Sequence, residues 1–480
     1  MIKKFNRDKL FIVFFMGVSS ISLIFINIIL NLFELKFQNS YFSHLMLILA
    51  FVVLIFIWNH FFAKSYVDLI NLFLVVQFIF FGGNSVLKVF NLESKDYFSG
   101  FTLTHNDYIL TNIIIILSLL CFVLGASISE VTSRNKSKKY QKKDPNQKHQ
   151  YTDEVINFSG VALLLIGLIS FIIDFDFSWI NSSYKNFGGT TLFKFLWTIS
   201  LPTSGFVFAT SNIKKNQIIG FSILFLVSFI YIVIGNRGYS ISILLTAIWL
   251  YDNQIRKLPK RKLIFLSLLI VFIISVFYQM KSFTIQQKLN VIDSMQYINL
   301  ENMFLSLFEE SSITYRTLIY TVQSVPIDKG FEWGLSYFWA LTTLVPNIFG
   351  TSAHPSVIFY ENPSEWLAWT FSPEQASLGF GFGFSNLGEA YFNFGLVGIV
   401  FSNFAFGFLL ETLNKNAKKL LNQRHKLILV AIVISNLFWG IRNPLSSIIR
   451  DAFYQYIIFV VILILIKMMF KKKMASFNNC

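Results

Sequence analysis

Four arginines in this chain stand where an anion-binding group would be useful. Arg237 lies in Gly235-Asn236-Arg237-Gly238, a tight turn between two apolar runs. The second run begins directly after it, so its first N–H groups share the turn with the guanidinium. A helix N-terminus beside an arginine makes a compact anion site. Arg442 and Arg450 bracket a second such place, Gly440-Ile441-Arg442-Asn443-Pro444 followed by Ser446, Ser447 and Asp451. There Asn443 suits an N-cap and Pro444 a first helical position. Arginine is the better phosphate ligand, because its planar fork offers two parallel donors. Two such places at one end of a bundle suggest a phosphate or pyrophosphate ligand. The bland alternatives are a headgroup-facing arginine at 237 and a capped turn with an Arg450–Asp451 surface pair.

The other chemistry-bearing residues are fewer. Ser312 and Arg316 are four apart and share a helical face, which Glu309 joins from seven residues back. Arg316 either holds a leaving phosphate or pairs with a carboxylate such as Glu309 or Glu310. Gly379, Gly381 and Gly383 alternate with phenylalanines, but no Lys-Ser/Thr follows, so they form no phosphate loop. Glu389 comes shortly after, at the start of an apolar run. A carboxylate at a water boundary can serve as a base, or can simply cap its helix. His354, with Glu309 and Glu310, is a further candidate for handling the acceptor or its proton; the bland alternative for His354 is a solvated surface histidine. No His-Glu-x-x-His pattern is present, and no metal and no cofactor are expected.

The elements that position these groups follow from composition. Of 480 residues, 54% are apolar and only 14% charged, with 57 phenylalanines. Average soluble domains carry about 25% charge, so a soluble or disordered chain is excluded. A helix needs about 20 apolar residues to span a bilayer core. Runs of roughly that length fall at 10–33, 44–63, 67–87, 108–128, 155–173, 194–212, 217–235, 239–254, 263–280, 393–413, 427–441 and 453–470. The expected fold is therefore an all-α polytopic membrane protein of about twelve spans. It divides into an N-terminal bundle (1–280), a large extracytoplasmic loop with short helices (281–392) and C-terminal spans (393–480). The first run is longer than a signal-peptide core and reads as an uncleaved span.

Charge orients the bundle. Net charge is +15. With the N-terminus inside, most basic residues fall on the cytoplasmic side, including the cluster from Arg134 to Lys148 and Lys471 to Lys473, while most acids fall outside. That is the positive-inside pattern, and it puts both termini in the cytoplasm. The basic excess is then a topology signal and an attraction to membrane lipids, not a nucleic-acid surface. Cys121 lies in an apolar run and Cys480 is the last residue, so no disulfide framework is implied. The segment 281–392 holds five of the nine prolines and Trp333, Trp339, Trp366 and Trp369. A loop that long is usually functional. Within it, Asn302 to Tyr320 suits an amphipathic helix, and Gly334 to Phe349 could dip into the membrane. The two halves of the chain show no internal repeat, which weighs against a duplicated transporter.

At these residues the chain resembles a family. The stretch from Gly381 to Gly395, with Gly388, Glu389 and Tyr391 inside it and Gly398 after it, is similar to the signature of bacterial O-antigen polymerases. The Gly235–Gly238 turn and the stretch Gly334 to Gly350 with Pro346 resemble that family too. The resemblance implies a membrane glycosyltransferase of the inner membrane, with a bundle like that of GT-C-type polymerases and ligases. It implies a donor glycan on undecaprenyl pyrophosphate, moved as a block to the non-reducing end of another lipid-linked repeat unit, for O-antigen or capsular polysaccharide. It implies no metal, no nucleotide sugar, and a chain-length regulator as a further partner. On this reading Arg237 holds pyrophosphate, helped by Arg316, Arg442 and Arg450, and Glu389 activates or orients the acceptor hydroxyl. Two rivals stay open: an O-antigen ligase using the same donor, and a polysaccharide flippase.

Overall fold

The computed structural model describes residues 2–32, 39–63, 65–92, 103–137, 153–176, 191–279, 301–347, 352–377, 381–420 and 423–477. Among them there is no strand. The helices are α1 (Ile2–Leu32), α2 (Tyr41–Phe61), α3 (Leu69–Gln77), α4 (Gly83–Val89), α5 (His105–Ser137), α6 (Asp153–Asp174), α7 (Thr191–Ala209), α8 (Lys214–Ile234), α9 (Arg237–Gln254) and α10 (Lys260–Gln279). Then come α11 (Glu301–Ser324), four short helices α12 (Leu335–Ala340), α13 (Pro355–Ile358), α14 (Pro363–Phe371) and α15 (Pro373–Ser377), and finally α16 (Asn386–Lys419), α17 (Arg424–Trp439) and α18 (Leu445–Phe477).

Each of the twelve apolar runs falls on a helix, the third across α3, a π-helical turn at Phe78–Gly82 and α4. Eight of these are long and apolar enough to cross a membrane, by length and composition. Four further runs fall on α1, α9, α10 and α17. In α1 the sequence is apolar and uncharged over residues 10–33. The helix α17 has 16 residues. The helix α9 has 18 and carries Arg237 and Asp252, while α10, after Lys260, Arg261 and Lys262, runs apolar and uncharged from Leu263 to Gln279. The protein is thus a polytopic helical membrane protein, with eight candidate spans among the described residues.

The central pair is α5 against α16, where Gly125 and Gly407 sit at the contact. A Cβ on Gly125 would lie 2.0 Å from the Phe404 carbonyl oxygen, and one on Gly407 would lie 1.9 Å from that of Phe122. Small residues are what let helix backbones touch within a membrane. The helix expected over 302–320 forms as α11 and packs against α4 and the π turn. Tyr315, Leu318, Ile319 and Tyr320 are buried there, and the Tyr315 hydroxyl donates to Asn112 Oδ1 at 2.9 Å.

Polar networks pin the two ends of α16. Near its C-terminus, Asn414 donates to Asp68 at 2.8 Å and to Glu411 at 3.0 Å. Asp68 also accepts the Trp58 indole at 3.0 Å, and Lys415 pairs with Glu130 at 2.9 Å. Buried charges persist in such surroundings only when paired and hydrogen-bonded. The other end of α16 carries Glu389.

Candidate functional site

The hairpin α8–α9 builds one wall of the site. Gly235 ends α8 in the left-handed region at φ 93°, and Asn236 leads into α9. The turn is thereby tight enough for α9 to start at Arg237. The start of α18 builds the facing wall. Pro444 precedes Leu445, as expected for a helix start, but Asn443 does not cap it; its side-chain amide donates to the Trp439 carbonyl at 3.2 Å.

The group that closes α18 is Glu389. Its Oε2 accepts the Leu445 backbone N–H at 2.6 Å, and its Oε1 accepts the Ser336 hydroxyl at 3.0 Å. Its own helix is capped by Ser385, whose hydroxyl accepts the Gly388 N–H at 2.9 Å. One turn on, Asn393 donates to Ser336 Oγ at 2.7 Å and to the Glu389 carbonyl at 2.8 Å, and its Oδ1 accepts the Gly334 N–H at 3.0 Å. Glu389 and Asn393 are both completely buried. The carboxylate therefore ties α12, α16 and α18 together, with its charge at a helix N-terminus, where it is favourable.

The helix α16 breaks just beyond this knot. Gly395 has φ 59° and ψ −139°, a region open essentially to glycine alone. The break frees backbone carbonyls before it. Phe392 and Asn393 accept the N–H groups of Glu332 and Trp333 at 3.1 and 3.0 Å. The phenols of Tyr337 and Tyr360, outside the spans, are raised well above their ordinary range by burial first and by the Glu389 charge second. The Tyr360 hydroxyl donates to Ser446 Oγ at 2.8 Å.

Between the two walls lies a cavity of about 600 Å³. Its polar lining includes Lys194, Asn236, Asn443, Ser447, Arg450 and Asp451, and its aromatic lining Tyr231, Tyr239, Trp439 and Tyr454. Arg450 pairs with Asp451 at 2.9 Å yet keeps about half of its side chain exposed. Two cations, one paired anion and the first turns of α9 and α18 thus face one space. Such a space suits an anion with several oxygens. Gln455, one turn beyond Asp451, donates to the Tyr239 hydroxyl at 2.6 Å and accepts from Asn436 at 3.0 Å, which locks α9, α17 and α18 in register.

The candidates from the sequence divide. Arg450 lines the cavity. Arg237 sits beside it, buried, at the first position of α9, while its neighbour Asn236 reaches the space. Arg442 lies behind Trp439, packed against Gly383, where a Cβ would come within 2.9 Å of Arg442 Cγ. Arg316 is buried on α11 and is not among the cavity residues. His354 is buried and caps α13, its Nδ1 accepting the Ser356 N–H at 3.2 Å. Glu309 is half-buried on α11; the Glu310 side chain and Gly379 lie outside the described residues.

Lys194 escapes the reading of the sequence. Its signal is a lone cation at the first turn of an apolar run. The Asp174-Phe175-Asp176 spacing escapes it as well; Asp174 accepts the Trp197 indole N–H at 2.8 Å. Among the described residues no cluster of three His, Cys, Asp or Glu side chains has metal-binding geometry.

The helical membrane bundle thus carries a cationic, aromatic-walled cavity at the meeting of several helix ends. The family model of the O-antigen polysaccharide polymerase Wzy matches residues 10–473. The chain belongs to that family, and is a multi-pass O-antigen polymerase of the bacterial inner membrane. No curated protein and no solved structure matches it.

Proposed function

We propose that the protein extends polysaccharide at the outer face of the inner membrane, taking a glycan from undecaprenyl pyrophosphate to the non-reducing end of another lipid-linked repeat unit. The observation that carries this reading is the cavity shared by Lys194, Arg450 and the first turns of α9 and α18. The acceptor hydroxyl oxygen attacks the anomeric carbon, and the bond from that carbon to the phosphate oxygen breaks. The electron pair leaves on the pyrophosphate. Preorganised cations and N–H dipoles stabilise that growing charge without reorganising, and such stabilisation commonly contributes more to catalysis than any other single effect. The hydroxyl proton passes to water or to the departing phosphate oxygens.

Arg450 and Lys194 hold the pyrophosphate directly. Arg237 and Arg442 act from the layer behind, through the field at the mouth and the packing of the α8–α9 turn. Glu389 is a positioning residue. Both its oxygens are engaged by Ser336 and Leu445, and it does not line the cavity. An apolar groove of about 1030 Å³ between α8, α9 and α10, reaching from Lys214 to Ile232 along α8, suits a long hydrocarbon tail. The cations in this reading are side chains, and no metal takes part.

The test is reconstitution with purified lipid-linked repeat unit in proteoliposomes, scored for polymer on a gel. Polymer that forms equally with excess chelator supports the whole reading. Transfer to a lipid A core without chain growth would favour the ligase instead, and translocation without transfer the flippase.

A further inference from the structure

We infer that the face of α14 is a carbohydrate-binding cleft that holds a glycan segment of the lipid-linked substrate beside the reacting sugar. This rests on the polymerase reading and names where the sugar chain lies.

A cleft of about 420 Å³ is lined by Tyr360, Glu361, Asn362, Glu365, Trp366 and Trp369. That volume is in the usual range for a small-ligand site. Trp366 and Trp369 are three apart on one helix and share a face. Trp369 is 56% exposed, on a nine-residue helix that opens with Pro363 and is capped by Asn362. The order of this face is specified in the sequence. The Asn362 side chain accepts the Ser364 N–H at 3.1 Å, and the Ser364 hydroxyl donates to the Phe382 carbonyl, which anchors α14 to the glycine-rich approach to α16. Trp366 is held from below by Phe392, with ring centroids 4.9 Å apart, and by the Lys329 ammonium 5.4 Å from its ring centroid.

The chemistry of this lining matches a sugar. One face of a pyranose ring presents C–H groups, which pack on the negative face of an aromatic ring. Its rim presents hydroxyl donors, which carboxylates accept in charge-assisted bonds and amide oxygens in neutral ones. Glu361 and Glu365 are both exposed at the cleft; Glu361 is paired with Lys329, which Glu332 also neutralises at 3.1 Å, so the cleft keeps a net negative charge. This net negative charge beside the half-buried Trp366 and the exposed Trp369 also argues against an anionic lipid headgroup. For the same reason the favoured glycan segment carries hydroxyl or amino groups and no carboxylate.

The position relative to the cationic cavity is the second observation. The Tyr360 ring lines the cleft, and its hydroxyl donates to Ser446 Oγ at 2.8 Å. Ser446 lies between Leu445, whose N–H meets Glu389, and Ser447, which lines the cavity. One side chain therefore spans from the cleft to the first turn of α18. A glycan whose reacting end sits at the cavity has its next sugars at α14.

The test uses the full-length protein in nanodiscs and, as probe, the repeat-unit oligosaccharide released by mild acid from its lipid carrier. Tryptophan fluorescence reports binding, and the polymer assay reports turnover. The wild type binds the probe; Trp369→Ala raises Kd about tenfold and Trp369→Phe recovers most of the loss. In turnover, Trp369→Ala raises KM about tenfold with kcat within about twofold, since the contact is made equally in ground and transition states. Glu361→Gln weakens probe binding severalfold and gives an independent reading should Trp369→Ala misfold. Raising KM only for the short lipid-linked unit assigns the cleft to the acceptor; raising it only for a preformed long-chain donor assigns it to the donor, and either supports the cleft. Absence of probe binding in the wild type, or equal binding in Trp369→Ala, overturns it. So does a result in which Trp369→Ala removes only quenching by brominated phospholipid, which makes α14 a membrane anchor. Probe binding without polymer formation would sink the polymerase reading and leave the cleft standing.

Discussion

The Glu389 carboxylate accepts the backbone N–H of Leu445 across 2.6 Å, so one apolar helix carries the acid that closes the start of another, 56 residues later. With Ser336 on the second oxygen, this bond fixes the α18 turn that presents Ser447 and Arg450 to the cavity.

Replacing Glu389 should therefore separate charge from geometry. Glu389→Gln keeps one carbonyl acceptor for Leu445 and leaves the fold intact, with polymer yield reduced. Glu389→Ala strands a buried N–H and a buried hydroxyl, at about 1–3 kcal/mol each. Its thermal unfolding midpoint in detergent should fall by several degrees, and long chains should disappear from extracted polysaccharide. Full activity in both variants would remove Glu389 from the site.

For the cavity cations the effects should fall on turnover. Removing a preorganised donor to a developing oxyanion commonly costs about 10²–10³ in rate. Arg450→Ala should lie in that range. Arg450→Lys should recover only part of it, because an ammonium lacks the two-pronged fork. Lys194→Ala should be milder, and Lys194→Arg near wild type. Rates are read with purified lipid-linked repeat unit. Unchanged rates in Arg450→Ala would show that the pyrophosphate binds elsewhere.

Arg237 is argued differently, since it is buried beside the cavity rather than in its wall. Arg237→Ala should abolish long polysaccharide chains while the protein remains in the membrane at normal level. Arg237→Lys should be impaired too. A gel with ordinary ladders from Arg237→Ala cells, at equal protein level, would reject its part in the site.

Periodicity and charge made the helices legible, because a membrane span must satisfy its backbone internally and be apolar over its length. The same logic located Arg450 and Arg237 at helix starts. It could not find Lys194, whose role depends on α7 packing beside α18, a contact that sequence spacing does not encode. Nor could it tell that Glu389 closes α18 rather than its own helix, since Ser385 performs that task and the partner lies 56 residues away. Arg316 shows the opposite failure. The helical face it shares with Ser312 is real, but α11 packs against α4 and the π turn, and Arg316 is buried outside the cavity lining.

Gly395 offers the sharpest backbone test. At φ 59° and ψ −139° an L side chain is strained, by about 1–3 kcal/mol for such regions. Its added Cβ would also come within 3.0 Å of the Phe331 ring. The break at Gly395 follows directly after the carbonyls that receive Glu332 and Trp333, so straightening it pulls on the strap leading to Ser336. Gly395→Ala should therefore lower the unfolding midpoint and cut polymer yield together, while Gly17→Ala, where an added Cβ meets nothing within 4 Å, changes neither. Equal stability and equal chain length in Gly395→Ala would mean that the break does not position the Ser336–Glu389 contact.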